Sequence, residues 1–348
     1  MKSVSKYRSV LMGLGIIWIY YFHSAPSLEK GTLIWYFWRQ GYTGVDLFIL
    51  LSGFGMAYAL TKNPVTDIKS YFSFEGKRFL RIYAGFLPAT FLIALVDNWT
   101  KSVILGRITY FEQFTENLYI HLWYLGVILV LYLIVPFYHK LFGLSRNKLR
   151  FTCMAVGLAM LLGCITIGRV REDIVSAAFT RIPIFFIGIY WGYLSQNDGG
   201  TLEEKSHFKK RLPVYAMFAA GVVLTYLAVM DWHPAIGNID SYYTHWFMFH
   251  YSRLLFTPSL ILIMVDIIGV VDKIKAGKAL NKALSYIGTI TLEIYCLHEW
   301  ILLKCADLQV SIDTIRWELS AIFLVFFLAV GIHKFADDLI FQKMKNRA

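Results

Sequence analysis

The sequence is poor in charge: Asp, Glu, Lys and Arg make up 16% of its 348 residues, against roughly 25% in soluble domains. With 57% hydrophobic residues and a mean hydropathy of +0.54, an ordinary soluble globular domain is excluded. Cysteine is scarce as well. Cys153, Cys164, Cys296 and Cys305 all fall in apolar segments, and none has the CxxC or Cys/His spacing of a zinc site. Neither a disulfide framework nor a bound metal is expected. The chain lacks a GxxxxGK[ST] phosphate loop, a GxSxG elbow and an HExxH pair, so ATP-driven and protease readings have no support. No repeat, low-complexity tract or Pro/Ser-rich linker interrupts it, and residues 1–348 read as one domain.

What the chain has in abundance is apolar runs of membrane-spanning length. Ten can be placed, near 9–27, 42–61, 80–98, 119–138, 151–168, 181–196, 213–230, 252–271, 284–304 and 317–336. The fold class that follows is all-α, a polytopic helix bundle of about ten transmembrane helices. Alternate connections are basic: twenty-four of the 34 Lys and Arg residues lie at the N-terminus, in 62–81, 139–150, 197–212 and 273–282, and after residue 333. By the positive-inside rule both termini are cytoplasmic, and the expected location is the inner (cytoplasmic) membrane, in a multi-pass arrangement. This placement assigns the net charge of +11 to topology and headgroup contact, with no nucleic-acid partner.

Ionisable groups inside such spans are costly and mark working sites. Gly44-Val45-Asp46-Leu47-Phe48 opens the second span, with Leu51-Ser52-Gly53-Phe54 below it. Asp46 lies near the external end, at the depth of His23 on the first span. That first span resembles a signal peptide at its start, but its cleavage site is poor and it reads as retained. Asp46 is placed either to orient His23 as a general base or to pair with Arg39. Gly53 and Ala57 serve close helix approach or leave room for a ligand. At the cytoplasmic edge, Lys77, Arg78 and Arg81 either snorkel to lipid phosphate or bind a phosphorylated ligand. His121, Trp123 and Arg181 open the fourth and sixth spans from outside. Thr291, Tyr295 and His298 form a polar stripe on the ninth span, and Glu293 there needs a partner. The external connection 231–253 is aromatic and His-rich.

Taken in order, these pieces resemble the acyltransferase-3 family of integral membrane acyltransferases. The matching segments are His23, Gly44–Phe48 with Leu51–Phe54, Arg78-Phe79-Leu80-Arg81-Ile82-Tyr83, Leu122-Trp123-Tyr124-Leu125, Arg181-Ile182-Pro183-Ile184-Phe185 and Ile294-Tyr295-Cys296-Leu297-His298. Two positions depart from the family pattern. Met12 stands where an arginine is usual, with Arg8 one turn earlier on the same face, and Ala84 stands where a proline is usual. Some relatives carry an additional extracellular hydrolase-like domain, which is not expected here.

The resemblance implies transfer of an acyl group, most often acetyl, from cytoplasmic acyl-CoA to a hydroxyl of a surface polysaccharide, glycolipid or related glycan. The implied partners are acyl-CoA as co-substrate, that carbohydrate acceptor and the bilayer, with no permanently bound cofactor. His23 takes the catalytic role, with Asp46 and His298 in support, and Lys77, Arg78 and Arg81 hold the CoA phosphates. Arg39, His121, Trp123, Arg181, Glu293 and Tyr295 are candidates for the substrate path. His298, Tyr295 or Arg181 is expected to stabilise the oxyanion. The rival reading is a transporter or flippase for a sugar, lipid or small polar solute; a third is a structural subunit of a polysaccharide synthase.

Overall fold

The computed structural model describes residues 1–24, 28–110, 122–167, 174–197, 207–230, 241–308 and 314–338. All regular structure among them is helical, as a bilayer demands of a chain that must satisfy its own backbone hydrogen bonds. The helices are α1 (Lys2–His23), α2 (Leu33–Arg39), α3 (Thr43–Lys62), α4 (Ile68–Val96), α5 (Lys101–Ile108), α6 (Trp123–Leu144) and α7 (Lys148–Ile167). They continue as α8 (Ile174–Asn197), α9 (His207–Val229), α10 (Ser241–Tyr251), α11 (Arg253–Val271), α12 (Lys275–Thr289), α13 (Thr291–Leu308) and α14 (Thr314–Ala336).

Seven stretches among the described residues are long and apolar enough to cross a membrane: Leu33–Lys62, Ile68–Val96, Trp123–Leu144, Lys148–Ile165, Arg211–Val229, Trp246–Val271 and Glu318–Ala336. They divide by what covers them. In the stretch containing α3, 83% of the best apolar window is buried, against 17% for α7. A helix that is apolar on every side and buried in protein is a bundle core, so α3 is the axis and α7 presents its flank to lipid.

The core contact is α3 against α8. A Cβ on Gly53 would collide with the Phe185 carbonyl, and one on Gly188 with the Leu50 carbonyl. Two glycines facing opposite backbones let the helices approach closely. Gly53 therefore serves packing, which settles the first of the two readings left open for it. The same device joins α1 to α12, where Gly13 meets the Leu284 carbonyl and Gly288 meets that of Ser9.

Three elements differ from the sequence expectation. The stretch 62–81, expected as a connection, is helical from Ile68, where Asp67 and Ser70 form a capping box. The Ser70 backbone N–H donates to Asp67 Oδ1 at 2.7 Å and holds that carboxyl below its usual range. Arg78 and Arg81, expected at the start of the third span, thus stand three turns into α4. The connection 231–253, expected to be an external loop, contains the helix α10. The span expected at 284–304 is interrupted at Ile290 (φ −104°, ψ 18°), so that α13 starts afresh with Glu293 in its first turn.

Candidate active site

His23 ends α1 and His298 lies two turns into α13, and the fold brings their rings to 4.8 Å between centroids. His298 Nδ1 is 2.9 Å from the Tyr295 carbonyl, which can only accept, so that nitrogen carries the proton. His298 Nε2 is then an acceptor, and His23 Nδ1, 3.2 Å away, donates to it. The Ile19 carbonyl, 2.9 Å from the same nitrogen, is a second acceptor. This leaves His23 Nε2 with its lone pair available. The Glu299 carboxylate lies 3.7 Å from that nitrogen. His298 is fully buried, whereas the His23 side chain is 27% exposed. The arrangement is a base with an open nitrogen, fixed from behind by a buried histidine and flanked by a carboxylate that can stabilise an imidazolium. One ligand atom each from His23, His298 and Glu299 lies within 4.8 Å of the others, so among the described residues these three also form a group that can hold a cation. His23 and His298, 275 residues apart, are two of the three residues expected at the catalytic centre, and the fold sets Glu299 beside them.

A cavity of about 910 Å³ is lined by residues of α1, α3, α4, α6, α12, α13 and α14 among others, but not by His23 or His298 themselves. Exposed Lys62 and Arg81 stand at its rim with half-buried Arg8 and Arg78. Buried Ser52, Tyr124, Glu293 and Tyr295 lie at its inner end. Tyr295 links cavity and histidines, its ring 5.5 Å from that of His298. Met12 and Arg8 both line this space, and Arg8 is close enough to Arg78 and Arg81 to feel their charge. The guanidinium missing at Met12 is supplied to the same cavity one turn earlier. Lys77, expected among the phosphate contacts, is exposed elsewhere on α4 and does not line the cavity.

Asp46 does not reach His23, and it does not pair with Arg39. Its carboxylate lies 3.3 Å from Arg181 Nε and 3.6 Å from Arg253 Nε, all three residues being at most 3% exposed. Arg181 also donates to Thr180 Oγ1 (2.6 Å) and to the Tyr42 hydroxyl, and lies 3.2 Å from His250 Nδ1. Its guanidinium is 5.0 Å from the ring centroids of Tyr42 and Trp123. Arg253 donates to the Phe249 carbonyl. The expected supporting role of Asp46 thus becomes a buried ion cluster tying α3 to α8 and α11, with Arg181 and Trp123 inside it. The carboxylate beside His23 is Glu299 instead. Its adjacency to His298 in the sequence was the available signal, masked by the assumption that partners sit at matched depth on consecutive spans. Arg39 stacks over Phe22 at 5.9 Å, and His121 lies outside the described residues.

The sequence profile of a family described as an acyltransferase domain matches residues 10–334. No curated protein and no solved structure gives a match. With the profile running from within α1 to within α14 and taking in both histidines, Arg78, Arg81 and the buried ion cluster, the chain belongs to the acyltransferase-3 family.

Proposed function

We propose that the protein is an acyl-CoA-dependent O-acyltransferase that moves an acyl group, acetyl in the first instance, onto a hydroxyl of a surface polysaccharide, glycolipid or related glycan. One observation carries this reading: a cavity lined by Arg8, Arg78 and Arg81 is also lined by Tyr295, whose ring lies against that of His298. An arginine cluster recognises phosphate, and fifteen residues of α1 separate Arg8 from His23, roughly 22 Å of helix rise. A phosphate-headed donor with a long arm fits that separation.

In the proposed step, His23 Nε2 takes the proton of the acceptor hydroxyl while its oxygen attacks the thioester carbonyl. Glu299 offsets the charge of the imidazolium. The carbon–sulfur bond breaks, and the thiolate leaves as CoA after taking up the proton, so ester and thiol are the products. Tyr295, next to the histidines, is the proposed donor to the oxyanion. Arg181 is committed to the buried ion cluster.

The test is His23→Ala in purified protein. Acyl transfer to the glycan, followed by mass spectrometry of its esters, should be lost while protein level and CoA binding persist. Retained transfer would overturn the assignment. Movement of a solute by wild-type protein with no thioester cleavage would favour the transporter reading.

A further inference from the structure

The cavity that is cationic at its rim holds one buried carboxylate, and that carboxylate is not bound to an arginine. Glu293, 5% exposed, lines the cavity. Its Oε1 lies 3.0 Å from His333 Nδ1 of α14, and the other ring nitrogen of His333 is 3.5 Å from Asp337. His333 and Asp337 line the same cavity. Glu293 Oε2 is buried and has no hydrogen-bond partner. Leaving a buried oxygen unsatisfied costs its full desolvation penalty, the more so for a carboxylate.

The surroundings preserve this arrangement. Glu293 sits in the first turn of α13, where the helix dipole favours negative charge; the break at Ile290 puts that helix terminus at the cavity wall. Gly85 of α4 faces it. A Cβ there would approach Glu293 Oε1 to 3.1 Å, so the glycine leaves the carboxylate uncrowded. His333 fixes one oxygen of this cavity-lining residue and leaves the other buried with nothing to accept from.

From this we infer that Glu293 Oε2 accepts a hydrogen bond from an amide N–H of the donor's arm, with His333 as its positioning residue. The inference rests on the acyl-CoA reading above. Five residues of α13 separate Glu293 from His298, about 7.5 Å of rise, which sets the carboxylate below the thioester, beside the arm and above the phosphate-binding rim. The arm of CoA carries amide N–H donors; its nucleotide end offers the rim phosphate oxygens. Acceptor and cationic groups are thus ordered along the cavity as donors and phosphates are along the ligand.

The experiment compares binding of CoA with binding of the adenosine bisphosphate that forms its nucleotide end and lacks the arm, on purified full-length protein. Glu293→Ala should weaken CoA about tenfold or more, the range of a hydrogen bond to a charged group, and leave the nucleotide unaffected. Glu293→Gln, which keeps an acceptor without the charge, should lose less. His333→Gln should lose CoA selectively as well. If Glu293→Ala weakens both ligands equally, Glu293 only holds α13 to α14 and the inference fails. If it weakens neither, no contact exists. Wild-type protein that binds neither ligand would overturn the acyl-CoA reading itself, a distinct outcome.

Discussion

At the scale of residues, two carboxylates, Glu299 and Asp46, sit in different surroundings, and substitution separates the roles proposed for them. Glu299 flanks the open nitrogen of His23 at 3.7 Å. Glu299→Gln removes the charge that offsets an imidazolium and keeps the shape. We expect kcat to fall on the order of 10²-fold, the lower range of general acid–base contributions, with KM for the donor unchanged. Steady-state kinetics at saturating acceptor checks this, and an unchanged kcat would remove Glu299 from the mechanism. Asp46 is buried between two guanidiniums. Removing one member of a buried ion pair costs about 3–5 kcal/mol, because the remaining charge has no counterion. Asp46→Asn should therefore lower thermal stability in detergent and the amount of folded protein, while the surviving folded fraction keeps its turnover. Full stability with lost turnover would restore Asp46 to the catalytic role its depth suggested.

At the scale of elements, the sequence motifs located the helices and misjudged their joints. Apolar runs place helices because a bilayer leaves the backbone no other partner. What interrupts a run is subtler. Ile290 is an ordinary strand- and helix-compatible residue, and nothing in its type announces the break between α12 and α13. That break follows directly on Gly288, where α12 packs across α1 at Gly13, a contact between segments far apart in sequence. The α4 start was legible in principle, since Asp67 and Ser70 stand at capping spacing, but the basic charges nearby drew the reading toward a loop. The α3 motif contains its own contrast. Gly53→Leu would drive a side chain into the Phe185 carbonyl, at a cost of about 1–3 kcal/mol or more for overpacking, and should reduce folded protein. Ser52→Ala lines the cavity instead; it should leave the melting temperature unchanged and affect donor binding. A melting curve of Gly53→Leu that matches wild type would mean that α3 and α8 are not held by this seam.

At the scale of the whole molecule, the candidate site is asymmetric, and so was its legibility. His23, His298, Glu293 and Tyr295 were visible as polar residues in apolar spans, and Arg78 and Arg81 as basic residues at the edge of one. Glu299, Arg253 and His333 were not singled out, because each is defined by a partner on a distant helix. What the assembled bundle adds is direction. Lys62, Arg81 and the Asp337 carboxylate are exposed where the cavity opens, and Lys2, Lys6 and Arg8 lie at the same end of α1. His23 closes the opposite end of that helix. If the basic end is cytoplasmic, as positive-inside logic requires, donor and acceptor approach the histidines from opposite sides. A bilayer-impermeant donor should then support transfer only from one face. In sealed vesicles of defined orientation, acetyl-CoA supplied to the face bearing the α1 N-terminus should label acceptor. The same donor on the other face should leave it unlabelled until the vesicles are permeabilised. Arg78→Ala combined with Arg81→Ala should abolish the productive case by weakening the donor, because those guanidiniums are where its phosphates would first be held. Equal labelling from both faces of intact vesicles would show that the cavity is not the donor's entry and that the two ends of the site are not on two sides of a membrane.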